Sequence, residues 1–195
     1  MSLLYKIGSK PIIAALRDPA HIGKAIESQV DNIFFMGGTL REIVHAVREA
    51  SAAGKGTFVH LDLVRGLSST DKETVEFVAE YVGADGIVTP KSHLIKEAKR
   101  IGLYGILHLF VLDSLALVNG LKMLDSIQPD GIEIMPGTLN KVIKRFAEAS
   151  DKIPIIASGL IQTTAEAADS LQAGATALSV SAPELWSCTF DDLIA

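Results

Sequence analysis

Short apolar, β-branched runs recur along the chain: PIIAAL from 11, NIFFMG from 32, TFVHLDLV from 57, GIVTP from 86, YGILHLFVL from 104, GIEIMP from 131, PIIASG from 154 and TALSVSA from 176. Runs of this length and make-up predict eight buried strands. Between them, apolar residues fall at helical spacing, as in Ile43, Val44 and Val47 or Val142, Ile143 and Phe146. Several of these segments open on Asp, Ser or Thr, which cap helix N-termini. Each strand therefore precedes a helix. Strand starts lie about 24 residues apart, close to the least that holds a strand, a helix and two loops, and that repeat predicts parallel pairing through right-handed crossovers. Eight such units close a compact TIM-like (β/α)8 barrel. Because the chain is shorter than the roughly 250 residues usual for that fold, some helices must be short. An open doubly wound sheet is the structural rival.

Composition narrows the picture. The chain has 195 residues, 48% apolar and 21% charged, which supports one sizeable core and is short for two ordinary domains. No Pro- or Gly-rich linker divides it, so residues 1–195 are expected to form a single barrel domain. No apolar run approaches the roughly 18 residues of a membrane span, and the first residues lack the order of a signal peptide. A soluble protein that contacts no membrane is expected. Cys188 is the only cysteine and has no intramolecular partner. The five histidines are scattered, without the close Cys or His pairs of a zinc site, so neither a metal nor a cofactor is expected. The formal charge of −5 argues against a generally basic nucleic-acid binder. The charge is nonetheless segregated: residues 91–152 hold nine Lys or Arg against seven Asp or Glu, and the remainder nine against sixteen.

Alternation along the strands sends polar groups inward. On the third strand, Val59, Leu61 and Leu63 share the face toward the helices, while Phe58, His60, Asp62 and Val64 share the other. On the sixth, Glu133 and Met135 point inward between Ile132 and Ile134, and Arg17 stands at the exit of the first strand. Buried unpaired charges are costly, so Arg17, Asp62 and Glu133 either form an internal ion-pair network or meet a ligand. His60 fits a satisfied core position as well as a ligand contact.

The last two strands carry the clearest chemistry. PIIASGLI ends in Ser158 and Gly159, and TALSVSAPELW passes Ser179 and Ser181 before Pro183 opens a short helix. Loops after strands seven and eight and the N-terminus of a short extra helix hold phosphate in many barrels. Gly159 admits close backbone approach and the serines donate hydroxyls. Gly137, in a Pro-Gly after strand six, either widens this cradle or makes an ordinary turn. Trp186 is expected to plug the core under the last helix.

Taken together, PIIAALRD from 11, VHLDLVRGLSS from 59, GIVTPKSHLIKEAKR from 86, LFVLDSLAL from 109, IEIMPG from 132, PIIASGLI from 154 and SVSAPELW from 179 resemble, in order and spacing, the glycerol-3-phosphate-responsive antiterminator family. The likeness covers nearly the whole chain. It implies a cytoplasmic, non-catalytic regulator that senses glycerol 3-phosphate as effector. Once loaded, it would bind leader mRNA, so that transcription of glycerol-metabolism genes passes a terminator. The chain departs from the family pattern at Leu107 and His108, where relatives often carry Gln-Arg. It departs again at Pro90 and Lys91, where they often carry Thr-Arg, and at Ser158, where Gly-Gly is common.

In the ligand orientation this suggests, phosphate sits on Gly159, Leu160, Ser181 and Ala182. Glu133 and Asp62 accept hydrogen bonds from glycerol hydroxyls, and Arg17 and Lys91 balance the charge. RNA would be held elsewhere, since no known RNA-binding motif is visible. Lys96, Lys99 and Arg100, then Lys122, then Lys141, Lys144 and Arg145 form either a basic band for RNA or simply solvated helix faces. A homodimer is expected because one short barrel offers little area for RNA. The alternative is a barrel enzyme acting on a small phosphosugar (an aldolase, isomerase or epimerase), with Asp62 or Glu133 as base and Lys91 as a Schiff-base amine.

Overall fold

The eight strands form, and they close on themselves. The computed structural model describes residues 2–194. In it β1 (Ile12–Leu16), β2 (Asn32–Phe35), β3 (Gly56–His60), β4 (Gly86–Thr89), β5 (Tyr104–Phe110), β6 (Gly131–Met135), β7 (Ile155–Ser158) and β8 (Ala177–Val180) pair in parallel in chain order, and β8 returns to β1. Closure excludes the open sheet.

The chain economises on helices. Only six residues make α2 (Ile22–Glu27), and β8 is followed by a 3-10 turn, Pro183–Leu185, and the five-residue α9 (Phe190–Ile194). The longer helices are α3 (Leu40–Ala52), α5 (Ser92–Ile101), α6 (Ser114–Ile127), α7 (Asn140–Ala149) and α8 (Thr164–Gln172), with the shorter α4 (Lys72–Phe77) before β4. Reciprocal Thr39–Glu42 and Thr163–Glu166 capping boxes start α3 and α8, satisfying N–H groups that a helix leaves open. Ile43 and Val47 of α3 and Val142, Ile143 and Phe146 of α7 are buried against the barrel.

Two apolar layers result. One lies between the strands and the helix ring. The other fills the tube: Ile13, Phe34, Phe58, Val88, Ile106 and Ile156 meet Leu3 and Ile7 of α1 (Leu3–Ile7), a helix that seals the end where the strands begin. Gly86 makes room for this layer, since a Cβ there would lie 2.7 Å from the Phe58 ring. Two residues further along β3, β5, β7 and β8 the interior turns polar. His60 follows Phe58, His108 follows Ile106, Ser158 follows Ile156 and Ser179 follows Ala177, all buried.

β3 is shorter than its alternating pattern predicts. It ends at His60, and Leu61 to Val64 form a turn in which Leu63 is 46% exposed while Leu61 and Val64 are buried. Leu63 therefore does not face the helices, and Asp62 leaves the inward file. β5 likewise stops at Phe110, and Leu112 projects into solvent. Trp186 is buried under the last helical turn, its indole N–H donating to the Val180 carbonyl at 2.9 Å.

Candidate functional site

The strand ends of β7, β8 and β1 build a cup of about 450 Å³. Seven of the residues singled out in the sequence line it: Arg17, Ser158, Gly159, Leu160, Ser179, Ser181 and Ala182. Its floor includes Ala15, Met36 and Met135, and its rim includes Gln162 and Glu184. Arg17 brings the positive charge to this wall and Glu184 the negative. Among the described residues Arg17 has no ion-pair partner, and its side chain is exposed at the mouth.

The loop after β7 has an unusual backbone. Gly159 (φ 78°) and Leu160 (φ 64°) are both left-handed, and Leu160 is 66% exposed. A leucine in that region costs about 1–3 kcal/mol, a strain that clusters at ligand clamps. Gly137 holds the loop from beneath. Its N–H donates to the Gly159 carbonyl at 3.1 Å, its own carbonyl accepts from the Ser170 hydroxyl at 2.9 Å, and a Cβ on it would lie 2.6 Å from the Ser158 nitrogen. Gly137 is buried and does not line the cup, so it supports the cradle rather than widening it.

Asp62 and Lys91 stand apart from the cup. The Lys91 ammonium donates to Asp62 Oδ1 at 2.7 Å and to Ser69 Oγ at 2.6 Å, and Thr89 Oγ1 donates to Asp62 Oδ2 at 2.9 Å. Partial burial would raise the Asp62 carboxyl, but these bonds outweigh it and hold it below its ordinary value. The two charges satisfy each other, so of the two alternatives the internal network of Arg17, Asp62 and Glu133 does not form.

Glu133 is completely buried and lies behind the lining of the cup. It meets two histidines. His108 Nδ1 is 2.6 Å from Glu133 Oε2, in the register that pairs these residues across β5 and β6, and the His60 and His108 rings meet edge to face at 5.1 Å between centroids. Burial would push the Glu133 carboxyl up; the His108 hydrogen bond, with help from Ser158, overrides it and holds the group ionised. Burial also pushes His60 down to about 4, leaving its imidazole neutral at pH 7. His60 Nδ1, His108 Nε2 and Glu133 Oε1 are buried without a hydrogen-bond partner among the described residues, each an omission that costs about 1–3 kcal/mol. The spacing of the histidines in the chain gave no hint of a metal cluster. Barrel closure nonetheless brings His60, His108 and Glu133 together, with one ligating atom of each within 4.8 Å of the others.

The seven cations of the expected basic band lie exposed on α5, α6 and α7. Three are engaged: Arg100 with Glu97 and Glu76, Arg145 with Glu148, and Lys99 with the Gln128 carbonyl. Lys141, Lys144 and Arg145 line a groove between the β5–α6 loop and α7 together with Leu112, Leu117 and Leu139. No helix among the described residues is long and apolar enough to cross a membrane.

Comparison with known proteins agrees with this architecture. Residues 12–186 match the model of a family described as glycerol-3-phosphate responsive antiterminator. The uncharacterized protein YgcP of Escherichia coli (strain K12) is 34% identical over 186 residues, covering 95% of this chain and 96% of that one. The crystal structure of a glycerol uptake operon antiterminator regulatory protein from Listeria monocytogenes superposes with a TM-score of 0.84 at 30% identity, over 90% of this chain and 94% of that one. A glycerol uptake operon antiterminator-related protein from Thermotoga maritima superposes with a TM-score of 0.80 at 32% identity, over 91% and 98%.

Proposed function

The chain belongs to the glycerol-3-phosphate responsive antiterminator family, and on that premise we propose that it senses glycerol 3-phosphate in the cup and answers by binding leader RNA. The observation that carries this reading is the cup itself. An unpaired Arg17 faces a left-handed Gly159–Leu160 loop and two strand-end serines across a space sized for a small phosphorylated triol. The phosphate sits against the N–H groups of Gly159, Leu160, Ser181 and Ala182, and Arg17 supplies charge. Ser158 and Ser179 meet the hydroxyl end, and Glu133 acts on the ligand through Ser158 instead of touching it. The Lys91 amine, held by Asp62, is not presented as a Schiff-base nucleophile, and this favours a sensor over an aldolase. RNA is held on the exposed cations of α5 to α7, as a homodimer that pools two such faces.

Isothermal titration with glycerol 3-phosphate, glycerol and inorganic phosphate tests the reading. Saturable binding of the phosphorylated triol, tighter than that of inorganic phosphate, supports it, as does retention of leader RNA only in its presence. Equal affinity for phosphate alone, or turnover of a triose or pentose phosphate, overturns it.

A further inference from the structure

The polar tier inside the tube holds a second constellation, set behind the lining of the phosphate cup. His60 comes from β3, His108 from β5 and Glu133 from β6, and all three are buried. None lines the cup. Two imidazoles and a carboxylate are the donors that bind first-row divalent cations of intermediate softness, and they are a poor set for Mg²⁺ or Ca²⁺, which take six or more oxygens.

We infer that His60, His108 and Glu133 form a buried binding site for one divalent transition-metal ion of the zinc or cobalt class. Their ligating atoms lie within 4.8 Å of one another. An ion with bonds of about 2.0–2.1 Å spaces its donors about 3.4 Å apart. The remaining gap is small on the scale of what rotating a ring or a carboxylate about its own side-chain bonds moves a ligating atom. Each residue also has a polar atom with no hydrogen-bond partner among the described residues: His60 Nδ1, His108 Nε2 and Glu133 Oε1. A core that needed only a His–Glu hydrogen bond has no use for the second histidine packed edge-on against the first. A cation gives all three a common partner, and the single carboxylate offsets part of its charge. Bound there, the ion ties β3 to β5 and β6, strands that do not all neighbour one another, so it braces the barrel across its interior.

The probe is metal alone, added to full-length protein stripped with a chelator. One equivalent of Co²⁺ should give visible d–d absorption of a nitrogen- and oxygen-ligated ion, and one equivalent of Zn²⁺ should displace it and raise the unfolding temperature. His60→Asn and Glu133→Gln should each weaken metal binding by tenfold or more. A His21→Gln, His45→Gln, His93→Gln variant, which removes the exposed imidazoles, should bind as the parent does. If Glu133→Gln fails to fold, His60→Asn and the exposed-histidine variant still decide. The inference is overturned if the stripped protein binds no Co²⁺, or if binding survives His60→Asn and disappears with the exposed histidines. Glycerol 3-phosphate titration is a separate readout, so failure here leaves the sensor reading standing.

Discussion

Ser158 and Ser179 face each other in register across β7 and β8, yet their hydroxyls have different fates: Ser158 is committed to Glu133, while Ser179 Oγ is buried with no partner among the described residues. Ser179 thus keeps its hydroxyl proton uncommitted, whereas Ser158 has only its lone pairs left to offer. Ser179→Ala should weaken glycerol 3-phosphate binding by the value of one hydrogen bond, about 0.5–1.5 kcal/mol, without lowering the unfolding temperature. Calorimetry and thermal unfolding of the same sample check both halves. A loss of stability equal to the loss of affinity would show that the hydroxyl serves the fold.

Gly159→Ala separates the loop from its sequence. A side chain at φ 78° costs about 1–2 kcal/mol, and its Cβ would lie 3.1 Å from Met135 Cγ. Stability should fall by about that amount, with affinity for glycerol 3-phosphate falling further as the cradle shifts. Denaturant unfolding with and without ligand measures the two effects.

Acid should find Glu97. The hydrogen bond from Arg100 holds its carboxyl below the ordinary 4.5, with Lys72 assisting. A depressed carboxyl contributes stability in full above the unfolded value and loses it as pH falls through the folded one. Glu97→Gln should therefore flatten the stability profile below about pH 4.5 and leave its shape above pH 6 unchanged. Urea midpoints across pH 3 to 7 give the comparison.

Cations already paired should matter less to RNA than free ones. Lys141 and Lys144 have no ion-pair partner among the described residues, whereas Arg100 is shared between two glutamates. Changing Lys141 and Lys144 together to Gln should reduce the slope of log affinity against log salt by about 1.4, the value of two phosphate contacts on single-stranded RNA. Arg100→Gln should change it little. Filter binding over a salt series is the measurement.

Period-two and helical spacing carry the barrel openly, because every strand is buried and every helix amphipathic. The same spacing misleads at residues 61–64, where LDLV continues the alternation through a turn and sends Asp62 to Lys91 instead of inward. The cup was legible because its parts lie in two short loops with diagnostic glycine and serines. The role of Gly137 was not, since an approach of Ser158 to its Cα is visible only once β6 and β7 are side by side. The inner triad was legible only in part. Glu133 and His60 follow from alternation, and so does His108, two residues beyond inward Ile106, but their meeting depends on barrel closure joining positions 60, 108 and 133.

The short helix α1, with Leu3 and Ile7 wedged beneath Phe34 and Phe58, makes the tube a cul-de-sac. Whatever reaches the histidines and Glu133 must come and go at the other mouth of the tube, the strand-end face on which the cup also opens.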